Sequence, residues 1–185
     1  MKDLASHIMD IVQNSIRAQA RRVEIRITEN PEKDSFIIEI RDNGTGMDET
    51  TLARVRDPFF TSRTVRKVGL GIPLLQQNAE RTGGTLTLSS TLGQGTVVTA
   101  IFTHSHLDRP PLGDVAETLS LLIAANPEIQ FIYSHTTPAG TYEVDTEEIK
   151  KITGDVPLHH PDLVAALREL IRENLTEIKA DHLYN

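Results

Sequence analysis

The 185-residue chain is 38% hydrophobic and 24% charged, ordinary for a soluble globular protein and long enough for a full core. It contains no cysteine, so disulfides, thiolate zinc sites and cysteine nucleophiles are excluded. The net charge of −7 is uneven: residues 1–104 carry 13 Lys and Arg against 12 Asp and Glu, whereas residues 105–185 carry 6 against 14. An acidic back half argues against general nucleic-acid affinity, which needs a basic face, and suggests two modules with different partners. The opening MKDLASHIMD lacks the apolar core of a signal peptide, and no run reaches the roughly 18 apolar residues of a membrane span. A cytoplasmic protein without membrane contact is expected.

In chain order, Asp3 can cap a helix over about residues 4–20, with Leu4, Ile8, Ile11, Val12 and Ser15 on one stripe. Asp3, His7, Asp10, Asn14 and Arg17 fall on a second stripe, roughly 140° away. A hairpin follows, RRVEIRIT then SFIIEIRD, joined by the turn-forming ENPEKD. Residues 47–60 read as a short helix and a loop. A helix then starts near Gly71, tolerates Pro73 in its first turn, and stops at Gly83-Gly84. The hairpin TLTLSST–LGQG–TVVTAIFT closes this part.

The order predicts a two-layer α/β sandwich, a mixed and largely antiparallel sheet with its helices on one face. Residues 105–112, with Pro110-Pro111, read as a linker after a first domain of residues 1–104. Residues 113–185 read as a small acidic module of αββα order, ending in a longer helix from Pro161.

Four stretches carry chemistry. In Asp10-Ile-Val-Gln-Asn14, one helical turn puts a carboxylate and an amide oxygen on the same side, a hard-oxygen pair suited to Mg²⁺ and its waters. Arg17 follows on that stripe, placed for a phosphate; alone, the trio would more often be a solvated polar face. In Asp42-Asn-Gly44-Thr-Gly46-Met47, a strand ends in an acceptor-only carboxylate able to receive an exocyclic amine, and glycines let backbone lie against a flat ring. The same letters also make an ordinary hairpin corner. Asp57-Pro-Phe59-Phe-Thr-Ser-Arg63, with Arg54, Arg56, Arg66 and Lys67 nearby, reads as a hinged cover with cations for a polyanion, or as one core Phe beside a solvated charge run. In Val68-Gly69-Leu70-Gly71, glycines open a helix whose free N–H groups favour an anion, or make a tight turn.

Together and in this order, the motifs in residues 4–103 resemble the ATP-binding domain shared by gyrase, the heat-shock chaperone, histidine kinases and mismatch-repair ATPases, the Bergerat fold. DIVQN is similar to its N-box, RDNGTGM to its first glycine box, DPFFTSR to the phenylalanine box of histidine kinases, and VGLGIP and LGQGT to the later glycine boxes. The resemblance implies that Asn14 holds Mg²⁺ bridging the ATP phosphates and that Asp42 reads the adenine amino group, with Thr96 sharing a water. It implies that Gly44, Gly46 and Met47 border the base, and that Arg17, Arg63 and Lys67 meet phosphate. Phe59, Gly69, Leu70 and Gly71 would belong to the lid. Asp10 stands where the family usually has Glu as the base, one methylene or about 1.5 Å shorter in reach.

Histidine kinases place two dimerisation helices with the acceptor His before the N-box. Here the N-box starts almost at Met1, so an acceptor region within the chain is not expected. The implied activity is ATP·Mg²⁺-dependent phosphotransfer to a separate protein, or slow hydrolysis. The alternative is a non-catalytic switch of the anti-sigma type acting through the acidic half. The implied partners are ATP and a second protein, with a homodimer left open and nucleic acid excluded. Six of the seven His lie at or beyond residue 104, in a pattern (His104-x-His106, His159-His160) that either binds metal or is scattered over surface and core.

Overall fold

The computed structural model describes residues 2–56 and 71–181. Helix α1 (Leu4–Arg17) is capped by Asp3, whose carboxylate accepts the Ser6 N–H at 2.7 Å. It ends three residues sooner than its pattern suggests. Gln19 adopts φ 60°, and the Ala20 N–H turns back to the Ser15 carbonyl, a left-handed stop. Strands β1 (Arg22–Asn30) and β2 (Ser35–Asp42) pair antiparallel around a short 3₁₀ turn. Helices α2 (Glu49–Arg56) and α3 (Gly71–Arg81) precede the hairpin of β3 (Thr85–Thr91) and β4 (Gly95–Thr103). Then come α4 (Val115–Ala125), β5 (Gln130–Thr137), β6 (Gly140–Asp145), α5 (Thr146–Thr153) and α6 (Pro161–Glu177).

The six strands form one mixed sheet in the order β3-β4-β2-β1-β5-β6, with β5 parallel to β1 and every other pair antiparallel. Alternation buries one face. Leu88, Val98, Ile40, Ile25, Tyr133 and Val144 make a continuous buried row across all six strands, and the helices cover that side. The opposite face carries Arg22, Glu24, Arg26 and Glu39 in exposed ion pairs of small energetic weight.

The αββα order expected of residues 113–185 is present through α4, β5, β6 and α5, but its strands do not form a sheet of their own. They extend the existing one, with β5 registered on β1 from Arg22↔Gln130 to Thr28↔Thr136. Without β5, the edge of β1 would expose unpaired backbone groups. The segment expected as a linker is likewise held at several points. Its Pro111 and Leu112 carbonyls accept the Leu4 and Ala5 N–H groups, supplying partners that the first turn of α1 lacks.

A buried polar cluster at the far end of β1 ties these parts together. Glu29 accepts the His135 Nε2–H at 2.7 Å, the His104 Nε2–H at 3.2 Å and the Asp181 backbone N–H at 2.8 Å. An ionised carboxylate only accepts, so both imidazoles turn an N–H toward it. The Tyr133 hydroxyl lies 2.7 Å from the remaining nitrogen of His135, and burial drives its pKa up. Arg109, fully buried, donates to Asp181 at 2.7 Å and to the His104 carbonyl at 2.9 Å, and its guanidinium lies 4.5 Å from the centre of the Phe36 ring. Asp181 also accepts the Leu112 N–H at 2.7 Å.

Burial alone would raise the Glu29 carboxyl, but the hydrogen bonds from His135, Asp181 and His104 outweigh it and hold its pKa below the ordinary 4.5. The stability carried by that shift is complete above the ordinary value and is lost as pH falls through the lowered folded value. Glu29→Gln should therefore flatten the fall of the urea midpoint between about pH 5 and about pH 3. Arg109→Ala leaves Asp181 buried without its cation and should cost about 3–5 kcal/mol in urea unfolding at neutral pH.

Candidate functional site

At the other end of the β1–β2 pair, a cavity of about 800 Å³ opens between α1, α2, the end of β2 and β4. Its lining brings together Asn14, Arg17, Asp42, Gly46, Met47 and Thr96. β2 ends at Asp42 with the carboxylate on the buried face, 8% exposed. Oδ1 accepts the Gly44 N–H at 2.9 Å and Oδ2 accepts the Ser15 hydroxyl at 2.6 Å. An ionised carboxylate has about four acceptor positions, so two remain for a ligand. The carboxylate is thus oriented before any ligand arrives.

Asp42 and Thr96 are register partners across β2 and β4, which is why a residue 54 positions later sits beside the carboxylate. The Ser90 hydroxyl donates to the Gly95 carbonyl at 2.9 Å, so its single proton is spent. The Thr96 hydroxyl, 2.9 Å away, then donates to Ser90 and keeps its own oxygen lone pair available.

The corner is fixed from three sides. Asn43 Oδ1 accepts the Arg21 and Arg22 N–H groups at 2.9 Å each, the Thr45 N–H donates to the Ala18 carbonyl at 2.8 Å, and the Gly93 N–H donates to the Thr45 carbonyl at 2.7 Å. The glycines serve this packing. Gly46 has φ 65°, and a Cβ there would come within 2.0 Å of the Thr91 carbonyl oxygen. A Cβ on Gly44 would lie 2.7 Å from the Ala18 carbonyl oxygen. Their bareness is thus required by neighbouring backbone, a reason additional to the flat ring expected from the sequence.

On α1, the Arg17 guanidinium donates to Asn14 Oδ1 at 3.1 Å, an exposed contact that is cheap to exchange. Asp10 is half-buried and is not part of the cavity lining; a Cβ on Gly71 would lie 3.1 Å from its Oδ2. Its carboxylate therefore rests against the first turn of α3, where the helix dipole favours negative charge. One turn earlier, His7 is buried rather than on a solvated stripe. Its Nε2 lies 2.8 Å from Asn78 Nδ2 of α3, and burial lowers its pKa. The proposed lid positions Phe59, Arg63, Lys67, Gly69 and Leu70 lie outside the described residues.

Ser15 is the residue that sequence reasoning missed. Counted in the apolar stripe of α1, it is the buried donor that orients Asp42; a hydroxyl amid buried aliphatics was the one available sign. Of the other histidines, His104 and His135 share Glu29, and His160 Nδ1 accepts the Asp162 N–H at the start of α6. Among the described residues no group of three or more His, Asp or Glu has metal-binding geometry, and no helix is long and apolar enough to cross a membrane.

The family model described as histidine kinase-, DNA gyrase B-, and HSP90-like ATPase matches residues 2–106. The chain is 36% identical to the sensor protein kinase FleS of Pseudomonas aeruginosa over 98 residues, 53% of this chain and 24% of that protein. It is 34% identical to the signal transduction histidine-protein kinase AtoS of Escherichia coli over 95 residues, 51% of this chain and 16% of that protein. It thus spans about a sixth to a quarter of these relatives. The fold matches the Aquifex aeolicus MutL ATPase domain complexed with ADP at a TM-score of 0.52 and 17% identity, over 83% of this chain and 69% of that one. That coverage exceeds residues 2–106, so the likeness of fold continues into the later elements.

Removing the hydroxyl that orients Asp42 strips a charged acceptor of a buried donor. Ser15→Ala should cost about 1.5–3 kcal/mol in urea unfolding without altering the far-ultraviolet circular dichroism.

Proposed function

The chain belongs to the family of histidine kinase-, DNA gyrase B-, and HSP90-like ATPases and carries its ATP-binding domain, and we propose that its pocket takes ATP with Mg²⁺ for phosphotransfer to a separate protein or for slow hydrolysis. One observation carries the reading. A buried carboxylate, pre-oriented by Ser15 and Gly44, keeps acceptor positions directed at a cavity of nucleotide size, beside the unspent oxygen of Thr96. The exocyclic amine of adenine would donate to Asp42. The carbonyl oxygen of guanine would face the same negative charge and be rejected.

The donor set suits Mg²⁺: Asn14 Oδ1 and the Asp10 carboxylate one turn earlier are hard oxygens, and Oδ1 already accepts from a cation, Arg17. The ion would neutralise phosphate charge when bound. Asn14 would hold it, and Arg17, released from Oδ1, would be free to contact phosphate. Gly71 would offer backbone N–H groups at the start of α3. Asp10 would act on the attacking water or acceptor hydroxyl across its shorter reach. The sensor kinases among the relatives motivate a place in signalling, in the cytoplasm, with the acidic back half as the docking side for a protein partner.

A second reading is a non-catalytic switch in which ATP changes the partner bound. It is favoured by the placement of Asp10 against α3 rather than in the cavity lining. The two separate on Asp10→Asn: loss of phosphate release or partner labelling supports the enzyme. Activity equal to wild type, with partner capture that still depends on ATP, supports the switch.

Asp42→Asn should weaken ATP by about 2–4 kcal/mol, or roughly 30- to 1,000-fold in Kd by calorimetry, because an amide can present its donor end to the amine. GTP binding as tight as ATP would overturn the assignment of Asp42.

A further inference from the structure

The Glu29 cluster borders a second cavity, of about 440 Å³, at the opposite end of the sheet from the Asp42 pocket. Val23, the register partner of Asp42, and Glu29 lie six residues apart on β1, so the two sites are about 20 Å apart along the strand. Glu29 and His104, each at least nine-tenths buried, line its inner part; Thr137, Pro138 and Ala139 of the β5–β6 turn form a wall, and the exposed Lys179 stands at the mouth.

Hydrogen-bond accounting leaves this inner end with unspent acceptors. Glu29 has about four acceptor positions. The His135 and Asp181 N–H groups occupy two on Oε1, and His104 occupies one on Oε2. One position on Oε2 remains. A neutral imidazole that gives its Nε2–H to Glu29 keeps a lone pair on Nδ1, and Nδ1 of His104 has no hydrogen-bond partner among the described residues. Thr137 offers no competing donor, since its hydroxyl donates to the Ile178 carbonyl while accepting the Ala139 N–H.

Around these acceptors the charges are assigned. Arg109 is paired with Asp181, and the Asp34 carboxylate, near His104, is turned to the Ser105 N–H and hydroxyl. Acceptors on nearly buried side chains beside a carboxylate suit a cationic donor. The lysine ammonium at the mouth calls for an anion. Lys179 and Asp181 both hold positive φ (56° and 51°), a strained C-terminal turn that sets one at the cavity mouth and the other in the buried cluster.

We propose that this cavity binds a small organic ammonium compound that also carries a carboxylate, with the ammonium donating to Glu29 Oε2 and His104 Nδ1 and the carboxylate meeting Lys179. The proposal is independent of ATP binding, because none of these residues lines the Asp42 pocket.

The test is an amide NMR titration of the full chain with 4-aminobutanoate, butylamine and butanoate. Saturable shifts at Thr137 and Ala139 are expected for 4-aminobutanoate below about 10 mM, weaker ones for butylamine, and none for butanoate. Because Glu29 also holds the fold, the decisive variants are Ala139→Phe, which fills the wall side, and Lys179→Ala. The first should abolish the shifts. The second should weaken 4-aminobutanoate about two- to fivefold and leave butylamine unchanged. Both should bind ATP as the wild type does, which separates failure here from failure of the nucleotide reading. Absence of saturable shifts with every probe, persistence of the shifts in Ala139→Phe, or butanoate binding as well as the amines would overturn the proposal.

Discussion

A buried carboxylate stands at each end of the central strand pair, and the rest of the molecule is arranged around the cost of keeping both there. Glu29 closes β1 and Asp42 closes β2, on the same helix-covered face. Taking a carboxylate out of water is expensive unless donors replace the hydration. Glu29 is served by three donors drawn from β5, the segment after β4 and the C-terminal turn. Asp42 is served by two, from α1 and its own turn. That difference divides their roles. Glu29, with three donors, fastens distant parts of the chain to one another and keeps one acceptor position, while Asp42, with two donors, keeps two beside its cavity.

The same contrast explains what could be read from the sequence. Alternation of apolar and polar residues in β1, β2 and β4 is local, so the strands followed from spacing, and Asp42 with its glycines stood out as a strand end followed by a turn. The contacts of Glu29 are not local. Its donors His104, His135 and Asp181 lie 75, 106 and 152 residues away. No periodicity reports such a pairing, and Arg109 inside a proline-flanked stretch reads as a solvated linker until Phe36 and Asp181 are found around it. The joining of β5 to β1 was hidden for the same reason, because an acidic segment beyond a linker has the composition of a separate module. Ser15 shows a subtler limit, since a helical stripe marks which residues are buried but not which of them has a proton to give.

The two carboxylates also differ in what their surroundings can rearrange. Around Glu29 the donors are one backbone N–H and two imidazoles wedged in the core, so displacing one leaves a buried group unpaired. Around the Asp42 pocket the exchangeable contact is Arg17 on Asn14, exposed to solvent and close to neutral in energy. A ligand with its own cation could take Oδ1 of Asn14 and return the guanidinium to an anion at little net cost. The rigid part of the pocket holds its acceptors in place; its exposed part is free to reorganise.

Asp10 occupies the boundary between these behaviours. It rests on Gly71 at the first turn of α3, the first described residue after the segment compared with a lid, and a side chain at position 71 would press on its carboxylate at 3.1 Å. An anion at a helix N-terminus is favoured by the dipole and by the free N–H groups there. A phosphate drawn to the same N–H groups would compete with Asp10 for them, and like charges at that range repel. On the proposed function, the carboxylate would move toward the nucleotide when phosphate arrived, bringing its short side chain nearer to reactive atoms, or α3 would shift with it. Both responses would run through the α1–α3 contact, where the part-buried His7–Asn78 pair joins one helix to the other. The short acid and the joined helix pair thus belong to one constraint: on the proposed function, what α1 could do for a phosphate would be set by how far α3 let it turn.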